Sequence, residues 1–282
     1  MRICVINPFA GTEQFGRENL EAIAAPGTEF DICDISDRYP LNNNQWLYFK
    51  HGCTGPTIDR AIEAERQGYN AVFISCNLDI GLYECRQMCQ IPVTATLEAA
   101  ALTAHTMGRR FSLLSVDDQN GQIQKMLLEQ YQLAQGLVSV RSFDIDATDL
   151  YSDRNSPDEI SEKVLIIARR CIEEDGADVL IAGCTLAGSV LSKAARENPD
   201  AHPAPIIDGM LPGFKMAEMM ASLQRVGFPP VSRLGLFQQP PLSDMRTLRH
   251  SQGQPLPVWA TGGKECALAV EIGAVVQGRH RA

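Results

Sequence analysis

Short apolar runs rich in Val and Ile alternate along the chain with longer stretches in which apolar residues recur every three to four positions. Strands buried on both faces between helical crossovers carry that signature, so the pattern predicts βαβ units and mainly parallel sheets flanked by helices. Strands are expected at Arg2 to Asn7, Glu29 to Ile35, Ala71 to Cys76, Pro92 to Ala95, Arg110 to Ser115, Val138 to Phe143, Asp178 to Gly183 and Pro205 to Asp208. Helices fill most gaps. In the best marked, Pro157 to Glu174, Ser156 can cap, Pro157 takes the first turn and Glu159 completes a capping box. Another follows Gly55-Pro56 and runs to Gln67, with Gly68 as its stop.

An internal repeat organises these elements. Gly68-Tyr69-Asn70-Ala71-Val72-Phe73-Ile74-Ser75-Cys76-Asn77-Leu78 aligns without gaps on Gly176-Ala177-Asp178-Val179-Leu180-Ile181-Ala182-Gly183-Cys184-Thr185-Leu186, a shift of 108 positions. The same shift lays Arg2 to Asn7 on Arg110 to Ser115, and Phe30-Asp31-Ile32 on Val138-Ser139-Val140. The expected fold is therefore α/β with two pseudo-symmetric lobes, residues 1–108 and 109–210, and a cleft between them. A helix over 211–226 is expected to return to the first lobe. From 227 to 282 the composition shifts to Pro pairs with Ser, Gln and Gly, which reads as an extended tail whose stretch Lys264 to Val276 could close as a short helix.

Composition narrows the function. With 282 residues and 45% hydrophobic content the chain can bury real cores. Its 25 basic against 34 acidic residues, net charge -9, oppose binding to a phosphate backbone, and no basic stripe is present, so no nucleic-acid partner is expected. The opening Met1-Arg2-Ile3-Cys4-Val5-Ile6-Asn7-Pro8 is too short for a signal h-region, and no apolar run reaches the roughly 18 residues of a membrane helix, which places the protein in the cytoplasm with no membrane partner. Nine cysteines in so long a chain read as reduced thiols. Cys85 and Cys89 lie four apart and His51 lies two before Cys53, but no second pair completes a metal site.

Cys76 and Cys184 sit at the carboxyl ends of equivalent strands, where parallel sheets gather ligands and helix amino termini offer N–H groups. A thiol so placed is expected to be pushed toward thiolate. Two lobes related by a pseudo-twofold would aim both sulfurs into one cleft, and a thiolate on one face of a carbon with a thiol on the other can invert it by moving a proton from face to face. The enolate formed needs donors; Asn7, Asn77, Ser115 and Thr185 are the candidates, with Asp208 behind them. Each has a plainer reading: Asn7 as a turn former before Pro8, Ser115, Thr185 and Asp208 as helix caps. Cys4, Cys33, Cys85, Cys89, Cys171 and Cys266 read as small buried hydrophobes, and Cys53 stays open.

The chain resembles the aspartate/glutamate/hydantoin racemase superfamily, and within it the hydantoin and allantoin racemases. The resemblance is carried by Val5-Ile6-Asn7-Pro8, Cys76-Asn77-Leu78-Asp79-Ile80-Gly81-Leu82, Gly108-Arg109-Arg110-Phe111-Ser112, Glu174-Asp175-Gly176-Ala177 through Gly183-Cys184-Thr185, and Ile207-Asp208-Gly209. It extends over about residues 1 to 241 and implies a racemase or epimerase that uses no metal and no pyridoxal cofactor. It carries the base roles onto Cys76 and Cys184, and implies a small-molecule carbon acid as substrate and a homo-oligomer. Three departures stand out: Phe9 replaces a second Asn, Asn77-Leu78 replaces an aromatic and a small residue, and Leu186-Ala187-Gly188 replaces the His-Tyr-Pro of glutamate racemases. The superfamily also permits a lyase or cis-trans isomerase acting through one cysteine, and the cleft permits a non-catalytic binding protein. A Cys-His hydrolase lacks a base at either cysteine, and Gly262-Gly263-Lys264 lacks the earlier glycine of a phosphate loop.

Overall fold

The computed structural model describes residues 1–11, 16–145, 156–198, 200 and 202–261; the expected helix over 264–276 lies outside them. The first lobe runs β1 (Arg2–Asn7), α1 (Arg17–Glu21), β2 (Glu29–Asp34), α2 (Leu47–Arg66), β3 (Ala71–Ile74), α3 (Leu82–Met88), β4 (Val93–Ala95) and α4 (Thr96–Met107). The second runs β5 (Phe111–Ser115), α5 (Asp118–Gln130), β6 (Leu137–Ser142), α6 (Pro157–Glu173), β7 (Val179–Ala182), α7 (Thr185–Glu197) and β8 (Ile206–Asp208). Then come α8 (Met210–Arg225) and α9 (Leu242–Ser251). The expected two-lobed α/β architecture is present.

Both sheets are four-stranded, in the orders β2-β1-β3-β4 and β6-β5-β7-β8, and every pairing is parallel. The repeat extends to backbone register. Ile3 pairs with Ala71 and Phe111 with Val179; Cys4 pairs with Asp31 and Ser112 with Ser139. Each pair maps onto the next by the 108-residue shift, so the two lobes pair their central strands through equivalent residues, apart from a register shift between Phe111 and Ser112. Their central strands are buried throughout, as Ala71–Ile74 and Val179–Ala182 illustrate, which is why they read as unbroken apolar runs rather than alternating ones.

Two expectations differ. Helix α2 begins at Leu47 and passes through Pro56, where a start was expected. Proline removes one amide donor from the ladder, but Cys53 and Thr57 on either side of it stay buried, Thr57 Oγ1 donates to the Cys53 carbonyl at 2.8 Å, and burial of that face carries the helix through. The tail is not extended throughout: α9 forms ten residues directly after Pro241. Its Arg249, 6% exposed, meets Asp59 Oδ1 of α2 at 2.6 Å and donates to the Pro255 carbonyl at 2.9 Å, while Trp259 Nε1 donates to the Met88 carbonyl at 2.9 Å. The tail thus folds back on the first lobe. Among the described residues no helix is long and apolar enough to cross a membrane.

Helix α8 also packs on the first sheet. Phe214 is fully buried and meets Phe30 edge-on at 5.3 Å, Thr94 Oγ1 donates to the Gly213 carbonyl at 2.9 Å, and Ala25 N–H donates to Glu218. Gly213 permits this approach, because a Cβ there would fall 2.4 Å from the Phe73 ring. Gly213→Ala is therefore expected to lower unfolding free energy by about 1–3 kcal/mol through overpacking, measured by urea denaturation; an unchanged midpoint would show that α8 can shift without cost.

Candidate active site

Each cysteine corner is made by the same backbone bond. Where β3 ends, Ser75 N–H donates to the Ile6 carbonyl at 2.8 Å; where β7 ends, Gly183 N–H donates to the Leu114 carbonyl at 2.7 Å. These bonds tie each corner to the neighbouring central strand and leave Cys76 and Cys184 just beyond the carboxyl edges of the two sheets. At position 183 the corner needs glycine, since a Cβ would lie 2.7 Å from the Leu114 carbonyl oxygen. At the first corner the amide two residues on turns back to the sulfur, Leu78 N–H donating to Cys76 Sγ at 3.5 Å; at the second, Cys184 Sγ makes no capping hydrogen bond, and the amides of Leu186 and Ala187 only draw its thiol down against burial.

The corners then diverge. Cys184 is the N-cap of α7, at the very start of that helix. After Cys76 the chain makes an irregular turn instead, with Asp79 N–H donating to the Cys76 carbonyl at 3.0 Å and Asp79 itself at φ 41°. Helix α3 starts only at Leu82. From the β2–α2 loop, Asn44 Nδ2 approaches Cys76 Sγ at 3.6 Å.

Both sulfurs open into one narrow cavity of about 50 Å³ between the lobes. Of the other expected site residues only Thr185 lines it. Asn7 and Ser115, equivalent under the repeat, are fully buried at the ends of β1 and β5, behind the cavity wall. Asn77 donates through Nδ2 to the Ala182 carbonyl at 2.9 Å, a bond from one lobe to the other. Asp208 accepts from Met210 N–H at 3.0 Å and from Ser192 Oγ at 3.2 Å, which makes it the anchor of α8. The walls that sequence reasoning missed are Phe9, the run Asn42-Asn43-Asn44-Gln45, Val116 and Asn120. The amide run was the available signal: four consecutive amide side chains in the loop between β2 and α2. His51 is exposed while Cys53, two positions along α2, is buried, so they do not form a pair facing one ligand. Among the described residues no group of His, Cys, Asp and Glu is arranged to hold a metal ion.

Electrostatics correct one expectation. Burial pushes the Cys76 thiol up to about 12, the amides of Leu78 and Asn44 pull it only partly back, and negative charge on Asp79 or Cys184 would raise it further. Burial raises Cys184 as well, against the Ala187 and Leu186 amides. Desolvation outweighs the helix terminus, so neither corner by itself favours a thiolate. Two buried carboxyls behave likewise: burial lifts Asp79 to about 7 although Leu97 and Glu98 N–H donate to it at 2.7 and 2.9 Å, and it lifts Asp208 to about 6.

The two-lobed α/β body with its paired parallel sheets is the architecture the resemblance implied, and direct comparison gives the family. The chain belongs to the Asp/Glu/Hydantoin racemase family, whose model matches residues 3–217. It is similar to the hydantoin racemase of Pseudomonas sp. (strain NS671), 24% identical over 223 residues that cover 79% of this chain and 87% of that one. Among solved structures it resembles the allantoin racemase from Klebsiella pneumoniae, with TM-score 0.73, 28% identity, and coverage of 86% of this chain and 94% of that chain. The allantoin racemase from Pseudomonas fluorescens gives TM-score 0.73, 26% identity, and coverage of 85% and 97%. The protein is thus an isomerase of the racemase type.

The raised carboxyl of Asp79 has a consequence for stability. Its folded value of about 7 lies above the ordinary 3.8, so the folded chain keeps a proton that the unfolded chain releases. Its contribution is full below about pH 4 and is lost as pH rises toward about 7. In Asp79→Asn, urea midpoints measured across that window are expected to decline less steeply than in the unchanged protein. Equal slopes would show that Asp79 titrates normally.

Proposed function

We propose that this chain is a cofactor-independent racemase or epimerase in which Cys76 and Cys184 act as an acid-base pair on opposite faces of one carbon next to a carbonyl. The observation that carries the reading is the composition of the cavity wall. Both thiols line it, and the remaining lining residues are Phe, Asn, Gln, Val, Gly and Thr, so among the described residues the two sulfurs are its sole titratable groups. A proton moved inside this cavity moves to or from sulfur.

In one direction the thiolate of one cysteine takes the α-proton and becomes a thiol, while the thiol of the other delivers its proton to the opposite face and becomes the thiolate. The reverse reaction exchanges the roles. Burial, which makes the thiolate hard to form, also makes it a stronger base toward a weakly acidic carbon once it has formed. The enolate oxygen would be met by the amide-rich wall of Asn42 to Gln45 and by Thr185. That wall carries both donors and acceptors, which suits a small ring with alternating N–H and C=O groups; the hydantoin and allantoin racemases among its relatives support a hydantoin-like substrate. Exposed Trp46, Leu47 and Tyr48, next to the amide loop, support assembly into a homo-oligomer, and the proposed setting is the cytoplasm.

Cys76→Ser and Cys184→Ser are each expected to slow racemisation of both enantiomers of a 5-substituted hydantoin or of allantoin by at least about 100-fold, followed as decay of circular dichroism. In heavy water the unchanged protein should place deuterium at the inverted carbon. Full turnover in both variants would remove the mechanism, and a product of changed mass without stereochemical exchange would favour a lyase.

A further inference from the structure

We infer that Asn44 is a positioning residue for Cys76, its side-chain amide standing in on the first lobe for the helix amino terminus that serves Cys184 on the second. The inference rests on the proposed acid-base pair and concerns how its first member is held. At the second corner α7 begins at Thr185, immediately after the cysteine, and the amides of Leu186 and Ala187 at its start favour the thiolate without a capping hydrogen bond. At the first corner the turn through Asp79 diverts the chain, and Leu78 N–H is the one backbone amide recorded at Cys76 Sγ. The second donor comes from elsewhere in the fold: Asn44 Nδ2, at 3.6 Å.

Asn44 is held for this task. Its loop is fastened at Leu41, whose carbonyl accepts from Ala10 N–H at 3.2 Å, and at Asn43, whose carbonyl accepts from Tyr39 Oη at 2.6 Å and whose Oδ1 accepts from Gln45 N–H at 3.2 Å. These bonds fix the residues on both sides of Asn44 and leave its side chain directed at the sulfur. Among the described residues the titratable groups facing Cys76 are Asp79 on its own turn and Cys184 across the cavity, and a negative charge on either opposes a thiolate at Cys76. No titratable side chain from the amide loop, from the start of α5 or from Phe9 lines the cavity. The donors opposing those charges are therefore Leu78 N–H and Asn44, and the side chain is the one that substitution can remove.

The test reads the sulfurs directly, without substrate. Iodoacetamide alkylates thiolates, forming a carbon-sulfur bond with release of iodide, and peptide mass spectrometry resolves the rate at each cysteine across about pH 6 to 10. In Asn44→Ala the Cys76 rate is expected to fall about tenfold throughout that range, the equivalent of one pH unit, with the Cys184 rate unmoved. In Asn44→Asp, the same shape without the donor and with added negative charge, the Cys76 rate should fall further. An unmoved Cys76 rate, a Cys76 inert over the whole range in the unchanged protein, or an equal change at both cysteines would overturn the inference; the last is what general loosening of the site predicts. Failure here with Cys76→Ser still inactive would remove only the role of Asn44. A slowed Cys76 in a protein whose Cys→Ser variants still racemise would instead remove the acid-base pair and leave the contact standing.

Discussion

Two backbone bonds fix everything downstream: Ser75 N–H to the Ile6 carbonyl and Gly183 N–H to the Leu114 carbonyl. Each extends the pairing of a lobe's two central strands one residue past the strand end, so the next residue, a cysteine, leaves the sheet at a determined place and direction. Because the strands of both lobes pair in the same register, the two exits are related by the symmetry of the repeat. The Asn77 side chain, donating across to Ala182, then ties one exit to the other lobe. Removing its donor would strand a buried carbonyl at a cost of about 1–3 kcal/mol, which explains why an asparagine first read as a substrate contact serves as a strut instead.

Inside this frame two opposing effects meet at each sulfur. Removal from water favours the neutral thiol, and nearby N–H groups favour the thiolate. A sequence shows the second effect, because a cysteine before a helix start is visible, and hides the first, because burial depends on how closely the lobes approach. Here burial wins at both corners. The same effect lifts Asp79 and Asp208, one behind each thiol. Under the proposed acid-base roles this arrangement would give a base of high intrinsic strength toward a carbon acid.

Much of the fold was legible for a definite reason. Strands buried on both faces write themselves as continuous apolar runs, and a duplicated unit writes itself twice, so the eight strands, and the shift relating the first three of each lobe, could be read before any contact was known. Cys76 and Cys184 were legible because they occupy the same place in both copies. What could not be read depends on long-range packing. The passage of α2 through Pro56 rests on burial of Cys53 and Thr57, and α9 lies between proline pairs that by local chemistry signal an extended chain, yet Arg249 and Asp59 draw it against α2. The amide loop was overlooked because it has no counterpart in the repeat, and Asn7 and Ser115 were overvalued because they have one.

That last contrast points to how duplication and function divide the molecule. The repeat supplies the parts that must match: two corners and two thiols. The parts that differ, Asn44 and the Asp79 turn on one side and the start of α7 on the other, lie where the halves need not match. A catalyst of mirror-image exchange has an equilibrium constant of one when its substrate has a single stereocentre, so the ratio of kcat to KM must be equal in the two directions whatever the site looks like. Thermodynamics therefore requires no symmetry of the donors around the sulfurs. It requires only that each face of the carbon meets a group able to give or take one proton. The two lobes can be read accordingly, with the strand ends kept alike because they aim the sulfurs and the surrounding loops free to diverge because they decide only how each enantiomer's share of kcat and KM is set.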